Sequence, residues 1–402
     1  MSPTPLTVSC ISVSSALGGS EWSLLDFVRL AAAKGIDAGV VLPKEGPLAE
    51  ELKRANVRYA VAPAAESLLA LSQREMLTIA GLFTLTAGLA TWSRAIAAAG
   101  RKLFGAPPQV LYTNGFKPHL AASLVRGPKR AWHLREFPPE RTQNVWKLLV
   151  GALPTVSIAN SRAVADAWRM AGFKPPEVVH NGVDLVRFHP MPRSGWIHAQ
   201  LGLDRSTRLI GMPAIFAKWK GHLQVVEAFE HAAADFPDAH LVLVGGAIYD
   251  TSAERGFAEE LVRRVGRASV GGGGSRLSDR IHFLKHSAEP WKLYPEFDVV
   301  VHFSTRPEPF GRVVAEALAS GVPVIAARAG GPLEIVEDGV TGWLVEPGDV
   351  TAMSAAMVHA LREAGTPASA AMRAAARARA ETQFSAERYA TEVARILREA
   401  AR

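Results

Sequence analysis

Short apolar runs alternating with longer helical patterns constrain this 402-residue chain more than any other feature. Runs such as "LTVSCISV", "DAGVVLP", "QVLYTN", "RAWHLRE" and "TVSIANS" are bounded by turn residues and read as buried strands. Between them lie segments with apolar residues at helical spacing, as in "EWSLLDFVRLAAAK" at 21–34, which Gly35 closes. Such alternation predicts a parallel sheet with helices on its faces. The pattern then restarts. "RLIGMPAIF" (208–216), "HLVLVGG", "RIHFLK", "DVVVHFS" and "VPVIAA" read as strands, with "LQVVEAFEHAAADF", "GRVVAEALASG" and "PLEIVEDG" as helices. A chain this long exceeds one ordinary core, and two domains of about 200 residues are expected. The fold class is therefore α/β with two such sheets in tandem, in domains 1–190 and 205–384 joined in "VRFHPMPRSGWIHAQLGLDRS" at 186–206. The helical tail 385–402 is a candidate to pack back on the first domain. The glycine-rich "VGGGGSRLS" at 270–278 predicts a flexible loop with no function of its own.

Apolar residues make up 48% and charged residues 21%, which fits a globular chain and argues against disorder. The single cysteine, Cys10, rules out an intramolecular disulfide and fits a reducing compartment. It lies in an apolar strand, so an inert core thiol is expected. No Cys/His cluster with zinc spacing is present. A net charge of +7 and a pI near 9.6 point to an anionic partner. The basic residues are scattered and only five tyrosines are present, so nucleic acid fits less well than a nucleotide or a membrane surface. No secretory signal is visible, and a cytoplasmic location is expected. "MLTIAGLFTLTAGLATW" at 76–92 is uncharged, but two glycines and four threonines make it a core or interfacial helix rather than a span. Peripheral contact with the inner membrane face stays open.

In open parallel sheets, ligands bind outside the carboxyl ends of the strands, so two facing sheets would hold a ligand in the cleft between them. After "DVVVHFS" comes Thr305-Arg306-Pro307-Glu308-Pro309-Phe310-Gly311, then a helix carrying Glu316. The prolines fix the backbone around Glu308. Gly311 permits close approach at a helix start, where N–H groups and the dipole favour an anion. Glu316 follows about 7.5 Å further along the axis, and its carboxylate suits a vicinal diol such as a ribose. The alternative is that Glu308 is a solvated loop acid and Glu316 pairs with Arg312 one turn back.

"EPFGRVVAEALASGVPVIAARAGGPLEIVEDGVTGWLVEPGD" resembles the donor-binding signature of the retaining GT-B glycosyltransferases of family 4, whose hallmark is two glutamates separated by seven residues. "GGSE" at 18–21, "NSRAVADAW", "NGVDLVRFHP", "KWKGH" and "VLVGG" extend the resemblance along nearly the whole chain. It implies the GT-B fold, with Glu316 on the ribose of a nucleotide sugar and Glu308 on hydroxyls of the transferred sugar. Phe310 and Gly311 would meet the sugar or diphosphate through backbone amides, and Gly18 and Gly19 would close on the diphosphate. Lys220 is similar to the lysine that neutralises the diphosphate. His133 is the candidate for a sugar-hydroxyl contact, with Arg135 and Glu136 adjacent candidates and Asn114 and Lys117 on the acceptor side. His180 and Asn181 read as a structural turn. The family's usual arginine five residues before the lysine is replaced by Ile215, and Lys218 is a candidate substitute.

The implied function is retaining transfer of a hexose-type sugar from a UDP- or GDP-sugar to a glycan or glycolipid acceptor of the cell envelope or an extracellular polysaccharide. No two aspartates are separated by a single residue, so the Asp-x-Asp metal clamp of the other main glycosyltransferase fold is missing. Transfer without metal or other cofactor is expected, with Lys220 and a helix N-terminus balancing the diphosphate. The rivals are a nucleotide-sugar epimerase and a catalytically weakened nucleotide-sugar-binding protein.

Overall fold

The computed structural model describes residues 4–71, 75–139, 143–150, 153–246, 254–267, 277–287 and 289–402. The chain forms two compact units, Met1–Gly182 with Ala386–Arg402, and Val183–Ser385. The change of unit at Gly182–Val183 falls just ahead of the 186–206 stretch expected from sequence. Most of the expected loop at 270–278 lies outside the described residues.

The first unit holds seven strands: β1 (Leu6–Ser12), β2 (Ile36–Leu42), β3 (Tyr59–Val61), β4 (Val110–Asn114), β5 (Lys129–Leu134), β6 (Val156–Ala159) and β7 (Glu177–Val178). They pair in the order β3-β2-β1-β4-β5-β6-β7, all parallel. Successive residues of β1 serve opposite faces. Val8 and Cys10 pack with Phe27, Val393 and Leu397 on one face, and Ile11 packs with Trp92, Ile96 and Leu111 on the other. Burial on both faces explains why the strands read as near-continuous apolar runs. It also pushes the Cys10 thiol pKa far up and leaves it inert. The helix Ile79–Phe104 is 26 residues long and begins with Thr78 accepting from the Gly81 N–H. Among the described residues no helix is long and apolar enough to cross a membrane.

The second unit holds β8 (Arg208–Pro213), β9 (Ala239–Gly245), β10 (Ile281–Lys285), β11 (Val299–His302), β12 (Val324–Ala327) and β13 (Gly342–Val345). Their order is β10-β9-β8-β11-β12-β13, again all parallel. Each sheet thus grows outward in two directions from its first strand, the doubly wound Rossmann topology. Three differences from the sequence reading have local causes. The strand at 208 stops at Pro213, and "PLEIVEDG" yields only the single turn Pro332–Ile335. Strands β3 and β7, of three and two residues, are too short for a detectable period.

Gly211 in β8 faces the ring of Phe297, and a Cβ there would run into that ring. Gly211→Ala should therefore cost about 1–3 kcal/mol through overpacking, read as an earlier denaturant midpoint for the second unit.

Candidate functional site

The reversal of strand order in the second sheet falls between β8 and β11. The loops leaving the carboxyl ends of these two strands carry Lys220 and Glu308. Tight backbone contacts join the loops. The Thr305 N–H donates to the Trp219 carbonyl at 2.8 Å, and Gly221, at φ 79°, sits so close to the Phe303 carbonyl that no side chain would fit. Behind the Glu308 loop, the Gly331 N–H donates to the Glu308 carbonyl at 2.8 Å. A Cβ on Gly330 or Gly331 would strike the Glu308 or Phe310 backbone. The glycines of "RAGGP" and "KWKGH" therefore press the loops into one cluster.

Within it, Lys220 Nζ donates to Glu308 Oε2 at 2.8 Å and Ser304 Oγ donates to the same oxygen at 2.9 Å. His302 Nε2 lies 3.5 Å away. Both side chains of the ion pair are 13% exposed. Burial alone would raise the Glu308 pKa, but the Lys220 ammonium and His302 outweigh it and hold the carboxyl well below the usual range. Glu308 is thus no solvated loop acid.

Gly311 caps the helix Arg312–Ala319 at φ 93°, and that helix carries Glu316. Glu316 is buried and bound at both oxygens. Arg312 Nε donates to Oε1 at 2.6 Å, and the Tyr294 hydroxyl donates to Oε2 at 2.6 Å. The pairing with Arg312 that the helical spacing allows is therefore present, and the carboxylate does not stand unoccupied. Its second partner comes from Tyr294, which nothing in the sequence marks. Phe310 is buried beside Gly311, its ring 6.1 Å from that of Phe384. Lys218 is not brought to this cluster: it is 64% exposed, with Nζ 3.6 Å from Glu260. The partly buried Ile215 follows β8.

In the first unit the reversal falls between β1 and β4. Gly18 caps the helix beginning at Gly19, and its N–H donates to Glu21 Oε2 at 3.1 Å. Asn114, at the end of β4, donates to the Ser20 carbonyl at 3.3 Å and accepts from Arg135 Nε. His133, in β5, is wholly buried, and Tyr112 and Arg135 reach its Nδ1. Burial first, then Arg135 and His119, push its pKa well below the usual histidine value. Glu136 accepts from the Phe116 N–H at 3.2 Å, and Lys117 donates to the Leu69 carbonyl. Asn181, read from sequence as a turn residue, accepts from Arg135 Nη1 at 2.5 Å.

Two doubly wound Rossmann-like units in one chain are the make-up of the GT-B fold. Solved structures agree. Anabaena HepE in complex with UDP-glucose matches at TM-score 0.78 and 24% identity, over 98% of this chain and all (100%) of that one. Sucrose-phosphate synthase from Thermosynechococcus elongatus matches at TM-score 0.75 and 22% identity, over 98% of each. Residues 196–379, all within the second unit, match the family model described as glycosyl transferases group 1. Named relatives include D-inositol 3-phosphate glycosyltransferases of Mycolicibacterium gilvum, 33% identical over 42% of this chain, and of Mycolicibacterium paratuberculosis, 35% identical over 51%. The matched stretches span 35% and 43% of those relatives' own length.

A carboxyl group whose pKa is lowered by folding stabilises the protein above its unfolded pKa of about 4.3 and loses that effect as pH falls toward the folded value. Glu308→Gln should cost about 1.5–3 kcal/mol at neutral pH. Its deficit against wild type should narrow steadily below about pH 4 in urea unfolding; a constant deficit down to about pH 3 would show that charge plays no part.

Proposed function

We propose that the protein transfers a hexose-type sugar from a UDP- or GDP-sugar to an acceptor hydroxyl, with retention of configuration and without a metal ion. The observation that carries this reading is the Lys220–Glu308 pair at the switch point of a group 1 glycosyl transferase unit, beside the helix that bears Glu316. Lys220 supplies a cation for the diphosphate. Glu308, freed as the ammonium turns to the phosphate, accepts hydroxyl hydrogens of the transferred sugar. Glu316 keeps its contacts to Arg312 and Tyr294 and accepts ribose hydroxyl hydrogens as well, a carboxylate offering about four acceptor sites. The departing diphosphate oxygen then takes the acceptor's proton on the face it leaves. The UDP-glucose bound in HepE supports a nucleotide-sugar donor.

The helix Ile79–Phe104 adds a reading of the acceptor. Its first turns expose Ile79 at 93% and Phe83 at 80%, while Arg94, Arg101 and Lys102 follow on the same helix. Exposed apolar side chains with basic ones further along the same helix suit an anionic bilayer surface, and hence a glycolipid or lipid-linked envelope glycan as acceptor.

A thermal-shift screen across nucleotide sugars tests the donor, since saturation at 100 times the dissociation constant stabilises by ~2.7 kcal/mol. Glu316→Ala should weaken binding of the nucleotide alone, whereas Glu308→Ala should spare the nucleotide and reduce transfer. Equal loss of both in each variant would refute the division of labour. Nucleotide binding with no transfer would indicate a binding protein, and epimer formation without acceptor an isomerase. For the membrane reading, the protein should float with anionic vesicles at low salt and be released by salt, and Phe83→Glu should abolish flotation. Full recovery in the soluble fraction at low salt would exclude it.

A further inference from the structure

The environment of His133 determines where its ring proton lies. Nδ1 is approached by two groups, the Tyr112 hydroxyl and, at 3.4 Å, Arg135 Nη2. A guanidinium only donates, so Nδ1 must offer its lone pair. The hydroxyl partners point the same way. Arg135 Nη2 donates to the Tyr389 hydroxyl at 2.9 Å. That oxygen, already an acceptor, turns its own proton to Tyr112, whose hydroxyl is 3.3 Å away. Tyr112 in turn has its proton free for His133 Nδ1. Burial, chiefly, raises the Tyr112 pKa well above the ordinary phenol value and keeps that proton in place. The series Arg135, Tyr389, Tyr112, His133 therefore has one direction of donation from end to end.

Burial also keeps the His133 imidazole neutral, so with Nδ1 an acceptor the single ring proton sits on Nε2. Nε2 is buried and has no hydrogen-bond partner among the described residues. A buried donor left unpaired costs about 1–3 kcal/mol, and it fits an oxygen acceptor brought by a ligand.

We propose that Arg135, Tyr389 and Tyr112 lock His133 in the Nε2–H form, making it a fixed hydrogen-bond donor to a sugar hydroxyl oxygen and excluding it as a proton-accepting base. Tyr389, on the C-terminal helix Ala386–Ala401, is the positioning residue through which that helix sets the state of His133. The identity of the acceptor oxygen rests on the sugar-transfer reading above; the tautomer does not.

The test uses the full chain labelled with nitrogen isotope in its histidines, the His133 signals being those lost in His133→Gln. Wild type should show a proton on Nε2 and a lone pair on Nδ1, unchanged between about pH 5.5 and pH 8. Tyr389→Phe should move the Nδ1 signal and lower kcat about tenfold, with donor KM changed less than about threefold. His133→Gln, which keeps an amide donor, should retain more activity than His133→Leu. A proton on Nδ1, or a titration in that pH range, overturns the proposal whether or not the protein proves to be a glycosyltransferase. Unaltered nitrogen shifts in a folded Tyr389→Phe protein overturn the role of Tyr389. Loss of every transfer activity with the Nε2–H form intact refutes the proposed function and leaves the tautomer standing.

Discussion

Every part of the candidate site depends on where a parallel sheet reverses its strand order. Right-handed crossovers place helices on one face when the chain moves one way along the sheet, and on the other face when it moves back. At the reversal the helices that follow the two neighbouring strands lie on opposite faces, which leaves the carboxyl ends of those strands uncovered by them. In the second unit those strands are β8 and β11, and their loops deliver Lys220 and Glu308. In the first unit they are β1 and β4, bordered by Gly18, Gly19, Asn114 and the end of β5.

The acids at these points are partnered rather than exposed. Removing a carboxylate from water without compensation is expensive. The fold compensates with Lys220 and Ser304 for Glu308, and with Arg312 and Tyr294 for Glu316. The two arrangements differ in kind. Arg312 and Glu316 sit one turn apart on the same helix, so their pairing forms with the helix. Lys220 and Glu308 meet only because Gly221 and Gly331 let three loops press together. The first holds an acid in a fixed orientation on one helix, while the second ties two loops together through opposite charges.

Much of this was legible in the sequence. The alternating pattern predicted two α/β units, and Glu308, the glycine after Phe310 and the lysine of "KWKGH" marked loops that the fold brings together at the reversal between β8 and β11. Tyr294 and Tyr389 left no signal and Asn181 read only as a turn residue, because each reaches its partner across many residues and hydroxyl or amide side chains occur throughout any chain. Tyr389 stands 254 positions from the Arg135 it accepts from. The suggestion that Lys218 could take the place of the missing arginine at Ile215 likewise rested on closeness in sequence. Two residues further along a tight turn, Lys220 points to Glu308, while Lys218 points to Glu260.

The sequence by itself determined the sheets, their helices and the residue types at the strand ends, because apolar periodicity and glycine placement are local properties of the chain. Only the tertiary structure decided which charges meet, which oxygen each donor serves and which nitrogen of His133 holds the proton. Those outcomes depend on the direction of hydrogen bonds between side chains that only the folded sheets bring within 3–4 Å, and no periodicity in the chain encodes them.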